Sequence, residues 1–146
     1  MATLTNALEG RLGYQLRRAS ATMMADLGRE LADLELRPAE VTTLLVIGEN
    51  PDCSQTEVGQ TLGIKRANMV PIISRLLDRG LVARTRADGR SHALRLTAEG
   101  EALSQEAQGR IDSHEARFVN LLGDADLAAL RRAMPVIRAV RDGEGD

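Results

Sequence analysis

Apolar residues near the start of the chain, Leu8, Leu12, Leu16, Ala19, Met23, Leu27, Leu31 and Leu34, recur every three or four positions. That period lines them along one stripe of a long first helix. Pro38 then falls at a first helical turn, and "VTTLLVIGEN" carries a second helix to Asn50 and Pro51, where the proline stops it. Ser54 and Glu57 have the Ser-x-x-Glu spacing of a capping box, so a short third helix starts there and ends near Leu62 and Gly63. A fourth helix buries Met69, Ile72, Ile73, Leu76 and Leu77 and stops at Gly80. Leu81 to Arg86 and Ser91 to Leu96 alternate apolar and polar residues around Asp88-Gly89, a strong hairpin turn signal. A polar helical pattern follows through Leu103, Ala107, Ile111 and Phe118 and stops near Gly123. Asp124 is expected to cap a last helix whose seam is Leu127, Leu130, Met134 and Ile137, with Pro135 bending it and "DGEGD" as a frayed tail.

The predicted fold class is mainly α with a small β-hairpin. Two short helices followed by a hairpin is the order of a winged helix-turn-helix, in which the second short helix enters the major groove of DNA. On this reading residues 36–100 form the DNA-binding domain, and residues 1–35 and 101–146 form a helical dimerisation region. The long terminal helices pose a burial problem. Tyr14 and Phe118 are the sole aromatics, so the core is built from aliphatic residues, and greasy stripes at both ends of the chain still need cover. A second copy supplies it, because a two-fold contact buries the same patch on both subunits.

Composition and charge sharpen this picture. The chain has 146 residues, 43% of them hydrophobic, enough for one domain with a sizeable core. No apolar run approaches the roughly 18 to 20 residues of a membrane span, and the N-terminus lacks the layout of a secretory signal, so a cytoplasmic location without membrane contact is expected. The single Cys53 cannot form an internal disulfide. A net charge of −2 argues weakly against nucleic acid, but the average misleads. Between Gly63 and Gly100 stand eight cations (Lys65, Arg66, Arg75, Arg79, Arg84, Arg86, Arg90, Arg95) and three acids, a balance of +5 that leaves −7 elsewhere. A positive block within an acidic protein can dock on a duplex.

With its apolar stripe turned inward, the fourth helix presents Lys65, Arg66, Ala67, Val70, Pro71 and Ser74, with Asn68 and Arg75 at the edges. Lys65 and Arg66 suit phosphates or guanine edges, and Asn68 either pairs with an adenine edge or caps the helix. Pro71 allows two starts. Either Asn68 is the N-cap, with Pro71 in the tolerant first turn, or the helix begins near Arg66 and bends. Val70 and Pro71 can touch thymine methyls, or Pro71 can act on helix shape alone.

The chain resembles the MarR family of bacterial transcription regulators. The resemblance rests on "GYQLRRA", "LRPAEVTTL", "SQTEVGQTLGIKRANM", "SRLLDRGLVAR", "DGR" and "LTAEG", in that order and at family-like spacing over nearly the whole length. It implies a homodimer with two winged domains that binds a pseudo-palindromic operator, usually as a repressor loosened by a small molecule. It also implies that Arg90 enters the minor groove at the wing tip, that Asp88 steadies the arginine or the turn, and that Arg84 and Arg86 flank it as phosphate contacts. A guanidinium at a hairpin tip suits a narrow, strongly negative A·T groove. Pro71 departs from the polar or basic residue more usual there.

Family members commonly hold effectors between the dimerisation helices and the winged domain, which here implicates Tyr14, Arg17 and Arg18, with His114 and Phe118. An arginine pair suits a carboxylate or phosphate, pointing to an aromatic carboxylate or its CoA thioester. Peroxide sensing in the family uses a cysteine on the first helix, absent here, and His92 and His114 are too far apart in sequence to suggest a metal site. No phosphate loop, nucleophile elbow or zinc-protease signature occurs, so neither an enzyme nor a cofactor is expected. The expected function is a ligand-responsive, DNA-binding repressor with double-stranded DNA, a second copy and a small effector as partners; the alternative is a protein-interaction module that retains the winged fold.

Overall fold

The computed structural model describes residues 4–87 and 91–140. Helix α1 spans Leu12–Glu30 and is followed by a 3-10 turn, Ala32–Leu34. Helices α2 (Pro38–Glu49), α3 (Gln55–Leu62) and α4 (Arg66–Asp78) lead into strands β1 (Val82–Ala87) and β2 (Ser91–Leu96), then helices α5 (Ala98–Val119) and α6 (Asp124–Ala139). The chain divides into two compact units, residues 1–110 and 111–146, with α5 contributing to both.

The core of the first unit joins Leu27, Leu31, Leu34 and Leu36 to Val41, Leu44 and Ile47 of α2, Val58 of α3, and Met69, Ile73 and Leu76 of α4. Leu81, Val82, Ala93 and Leu94 extend it under the hairpin, and burial of each large aliphatic side chain contributes roughly 1.5–3 kcal/mol. Helix α2 is the hub, packing against α1, α3, α4 and β2. The strands pair antiparallel with Val82 opposite Leu96 and Arg84 opposite Leu94, and Cys53 adds an isolated bridge to Leu94.

Helix ends follow local chemistry. Glycine permits the left-handed backbone that closes α3 at Gly63 (φ 66°) and α4 at Gly80 (φ 68°). After α4 the Gly80 N–H donates to the Leu77 carbonyl at 2.9 Å and the Leu81 N–H to the Leu76 carbonyl at 3.0 Å, the paired bonds of a Schellman ending. Gly100, at the start of α5, is required for space, since a Cβ there would overlap the Leu81 carbonyl.

Two expectations change. The first helix is shorter than its stripe: Leu8 lies in a turn before it, and Leu34 lies in the 3-10 turn, because the Leu31 carbonyl accepts the Leu34 N–H three residues on and Glu35 turns left-handed (φ 54°). Asp124 does not cap the last helix. Gly123 occupies the N-cap in extended conformation, and Asp124 is the first helical residue, where its charge complements the helix N-terminus. Of the two starts open to α4, the structure takes the one near Arg66: Lys65 is the N-cap, which places Pro71 at the sixth helical position.

In the second unit α6 buries none of its residues, and Leu130, Val136, Ile137 and Val140 are exposed. Pro135 lies inside this helix. Among the described residues no helix is long and apolar enough to cross a membrane. The "DGEGD" tail lies outside the described residues.

Candidate nucleic-acid interface

The approach to α4 is set by two short-range devices. Ser54 and Glu57 form the expected capping box: the Ser54 Oγ accepts the Glu57 N–H at 3.2 Å, and the Glu57 carboxylate accepts the Ser54 N–H at 2.7 Å. The Ser54 N–H, and after it the Ser54 hydroxyl donating to the same carboxylate at 2.9 Å, hold the Glu57 carboxyl below its ordinary pKa. The left-handed Gly63 then turns the chain so that α4 can start at Arg66.

Helix α4 has two faces. Met69, Ile73 and Leu76 are buried, Ile72 and Leu77 half-buried, while Lys65, Arg66, Ala67, Asn68, Val70, Pro71 and Ser74 are all exposed. The Asn68 N–H donates to the Lys65 carbonyl at 2.8 Å, tightening the first turn. Val70 is 53% exposed, an aliphatic side chain open to solvent between Asn68 and Pro71. Lys65 and Arg66 also line a cleft of about 360 Å³ with Gln55, Thr56 and Gln60 of α3.

Arg75 is only half-exposed, and its Nε pairs with Glu40 Oε1 at 3.0 Å. Sequence periodicity cannot reveal that partner, which lies on another helix. From β1, the Arg84 Nη2 donates to Gln55 Oε1 at 3.4 Å, linking the hairpin to the first residue of α3; Arg86 is exposed. Asp88 and Arg90, together with Gly89, lie outside the described residues.

Arg95, one of the eight cations of the positive block, makes a two-pronged ion pair with Asp52 in the α2–α3 connection. This bonding lowers the Asp52 pKa and raises that of Arg95. The Asp52 N–H donates to the Leu94 carbonyl at 3.0 Å and the Leu94 N–H to the Cys53 carbonyl at 2.8 Å, so backbone and side chains together moor β2 beside α3. Asp52 itself is left-handed (φ 69°), a conformation that Asp tolerates better than most residues. Cys53 is half-buried, and burial, then the nearby Glu57 carboxylate, pushes its thiol pKa up.

The residues considered for an effector fall into two groups. On α1, Tyr14 is half-exposed and accepts a hydrogen bond from Asn6 Nδ2 at 2.8 Å, while Arg17 and Arg18 are exposed. In the second unit His114 is buried, its ring centroid 4.9 Å from that of Phe118 one turn on. His92 is exposed on β2, and among the described residues no cluster of three or more His, Cys, Asp or Glu side chains could hold a metal.

A capped short helix, a glycine turn, a second short helix with a cationic outer face, and a moored hairpin together define a winged helix-turn-helix protein. The chain belongs to the MarR family: the family model matches residues 34–91, and the relative described as HTH-type transcriptional repressor Rv2887 of Mycobacterium tuberculosis is 31% identical over 110 residues, covering 74% of this chain and 79% of the relative. Among solved structures, the transcriptional repressor CouR bound to a 23-mer DNA duplex superposes with a TM-score of 0.86 at 36% identity, covering 94% of this chain and 99% of that one. CouR bound to p-coumaroyl-CoA gives the same TM-score and identity over 94% of this chain and 98% of that one. Rv2887 in complex with salicylic acid gives a TM-score of 0.69 at 27% identity over 88% and 96%.

Proposed function

We propose that this protein is a homodimeric transcriptional repressor that binds a pseudo-palindromic operator and is released by a small aromatic carboxylate or its CoA thioester. The observation that carries the proposal is the outer face of α4, where Lys65, Arg66, Ala67, Asn68, Val70, Pro71 and Ser74 are exposed together opposite a buried stripe. Lys65 and Arg66 supply phosphate or guanine contacts, Asn68 an adenine contact, and Val70 and Pro71 an apolar surface for thymine methyls. Arg84, Arg86 and Arg90 extend the contact along the wing, and Asp88 steadies its tip. Arg75 sits at the edge of this surface.

Residues 36–100 form the DNA-binding domain, and residues 1–35 with 101–146 the dimerisation region. The exposed Leu12 on α1, the exposed Leu130, Val136 and Ile137 along α6 and the exposed Val140 at its C-cap support pairing, because water contact with so many aliphatic side chains is unfavourable. Tyr14, Arg17, Arg18, His114 and Phe118 are assigned to the effector: the arginines to its carboxylate or phosphates, the rings to its aromatic part. Repression and effector class follow two relatives, CouR, solved both with DNA and with p-coumaroyl-CoA, and Rv2887, solved with salicylic acid. A cytoplasmic location and a role without catalysis go with this reading, supported by relatives that are described as transcriptional regulators.

Selection of bound duplexes from random-sequence DNA, repeated with p-coumaroyl-CoA and with salicylate, tests the proposal. Enrichment of a pseudo-palindrome that one compound abolishes is the expected result. Absence of any enriched sequence would overturn it and favour the protein-interaction module.

A further inference from the structure

The short segment joining α1 to α2 is gripped by two arginines from distant parts of the chain. Arg110 of α5 donates Nη1 to the Glu30 carbonyl at 2.8 Å and pairs with the Asp33 carboxylate, its Nη2 lying 2.9 Å from Oδ2. Glu106, one turn earlier, holds the same guanidinium at 2.7 Å. The Asp33 partnership lowers that carboxyl's pKa and, with Glu106, raises that of Arg110. Arg79, which closes α4, donates Nη1 to the Glu35 carbonyl at 2.7 Å and Nη2 to the Leu34 carbonyl at 3.1 Å. Glu35 is left-handed with φ 54°, a conformation that costs energy for a residue with a side chain and persists where neighbours enforce it.

Leu31 and Leu34, at either end of the turn, are buried at 0% and 9% exposure. The segment is therefore packed into the core while charge-assisted bonds tie one part of it to α5 and the next part to the end of α4. A shift of Arg110 pulls on Asp33 and the Glu30 carbonyl, and the turn cannot follow without displacing the two carbonyls that Arg79 holds. A planar guanidinium can serve two successive carbonyls at once; an ammonium cannot reproduce that fork.

We propose that Arg79 is a positioning residue for the DNA-facing helix, and that the Ala32–Leu34 turn couples α5 to α4 through Arg110 and Arg79. The proposal rests on the DNA-binding function above, yet its first test needs no DNA. Asp33→Ala removes an exposed carboxylate and leaves the core untouched. In amide hydrogen exchange on the full chain it is expected to accelerate exchange at Gly80 and Leu81 by about threefold or more, as well as around residues 30–36. Acceleration confined to residues 30–36 and α5 would overturn the coupling.

The second test uses a duplex enriched from random-sequence DNA. Arg79→Ala and Asp33→Ala are each expected to weaken binding about five- to tenfold, and the double variant no more than the weaker single one. The slope of log K against log salt should stay unchanged for Arg79→Ala, and Arg79→Lys should bind as poorly as Arg79→Ala. A slope smaller by about 0.9, rescue by lysine, or effects that multiply would make Arg79 a phosphate contact, a mere charge or an independent site, and each overturns the proposal. If no duplex is enriched, the repressor assignment fails while the exchange result still decides the coupling.

Discussion

Arg75 of α4 donates its Nε to Glu40 Oε1 at 3.0 Å, while Glu40 Oε2 accepts the Arg37 N–H at 3.0 Å, so one buried carboxylate both caps α2 and tethers α4. Arginine has no acceptor for the reciprocal bond at the N-cap, which makes this half of a capping box. Glu40→Ala is expected to cost about 1–3 kcal/mol, combining a lost cap with a broken pair whose arginine is partly screened by solvent. The readout is the urea midpoint at unchanged m-value. A loss below a few tenths of a kcal/mol would mean that the tether contributes nothing.

Removal of Pro71 should stabilise the protein. At the sixth position of α4 it withholds an N–H from the Ala67 carbonyl, a cost of ~3 kcal/mol in a regular helix, of which up to ~1 kcal/mol is offset by the stiffer unfolded chain. Pro71→Ala is therefore expected to raise stability by about 1–2 kcal/mol. A simultaneous fall in affinity for the enriched duplex would assign Pro71 to thymine contact, and unchanged affinity would assign it to helix shape.

Glycine sites should separate by their surroundings. Gly100→Ala places a methyl on the Leu81 carbonyl and is expected to destabilise by about 1–3 kcal/mol, through displacement of the hairpin from α5. A Cβ at Gly109 would meet, among the described residues, nothing within 4 Å beyond its own stretch of helix, so Gly109→Ala should raise stability by about 0.5–1 kcal/mol. Thermal unfolding of the two variants at one protein concentration distinguishes them.

Acid should weaken the mooring of the hairpin. The Asp52 pKa is held below its ordinary value by Arg95, so the folded state prefers the ionised form; that contribution is complete above the unfolded pKa and disappears as pH falls through the depressed folded value. Asp33 and Glu57 behave likewise. Asp52→Asn keeps a residue that tolerates φ 69° and removes the charge alone. Its melting temperature should fall less than that of the parent between neutral and strongly acidic pH. Parallel curves would exclude the pair as a source of acid lability.

Cys53 is expected to be a slow nucleophile. Its raised pKa leaves the thiol protonated near neutral pH, and only the thiolate reacts. Alkylation by iodoacetamide should lag behind that of a free cysteine and accelerate at higher pH. Rapid modification by dilute peroxide would reopen redox sensing.

Much of the fold was legible because its signals are local. Ser54 and Glu57 lie within one turn of each other, Gly63 and Gly80 answer a backbone need at their own positions, and the stripe of Met69, Ile73 and Leu76 shows in the helical period. The outer face of α4 follows from that stripe by subtraction. The 3.6-residue period could not tell where α1 gives way to the Ala32–Leu34 turn, because Leu31 and Leu34 stay on the buried side after the helix has ended.

What tertiary structure alone decided are the pairings across sequence distance: Glu40 with Arg75, Asp52 with Arg95, Arg79 with the Leu34 and Glu35 carbonyls, and Arg110 with Asp33. A charge in a sequence announces only that it wants a partner or water. Which of the two it finds depends on where packed helices bring a second charge within about 3 Å, and that placement belongs to the whole core, with no trace in the spacing of the residues concerned.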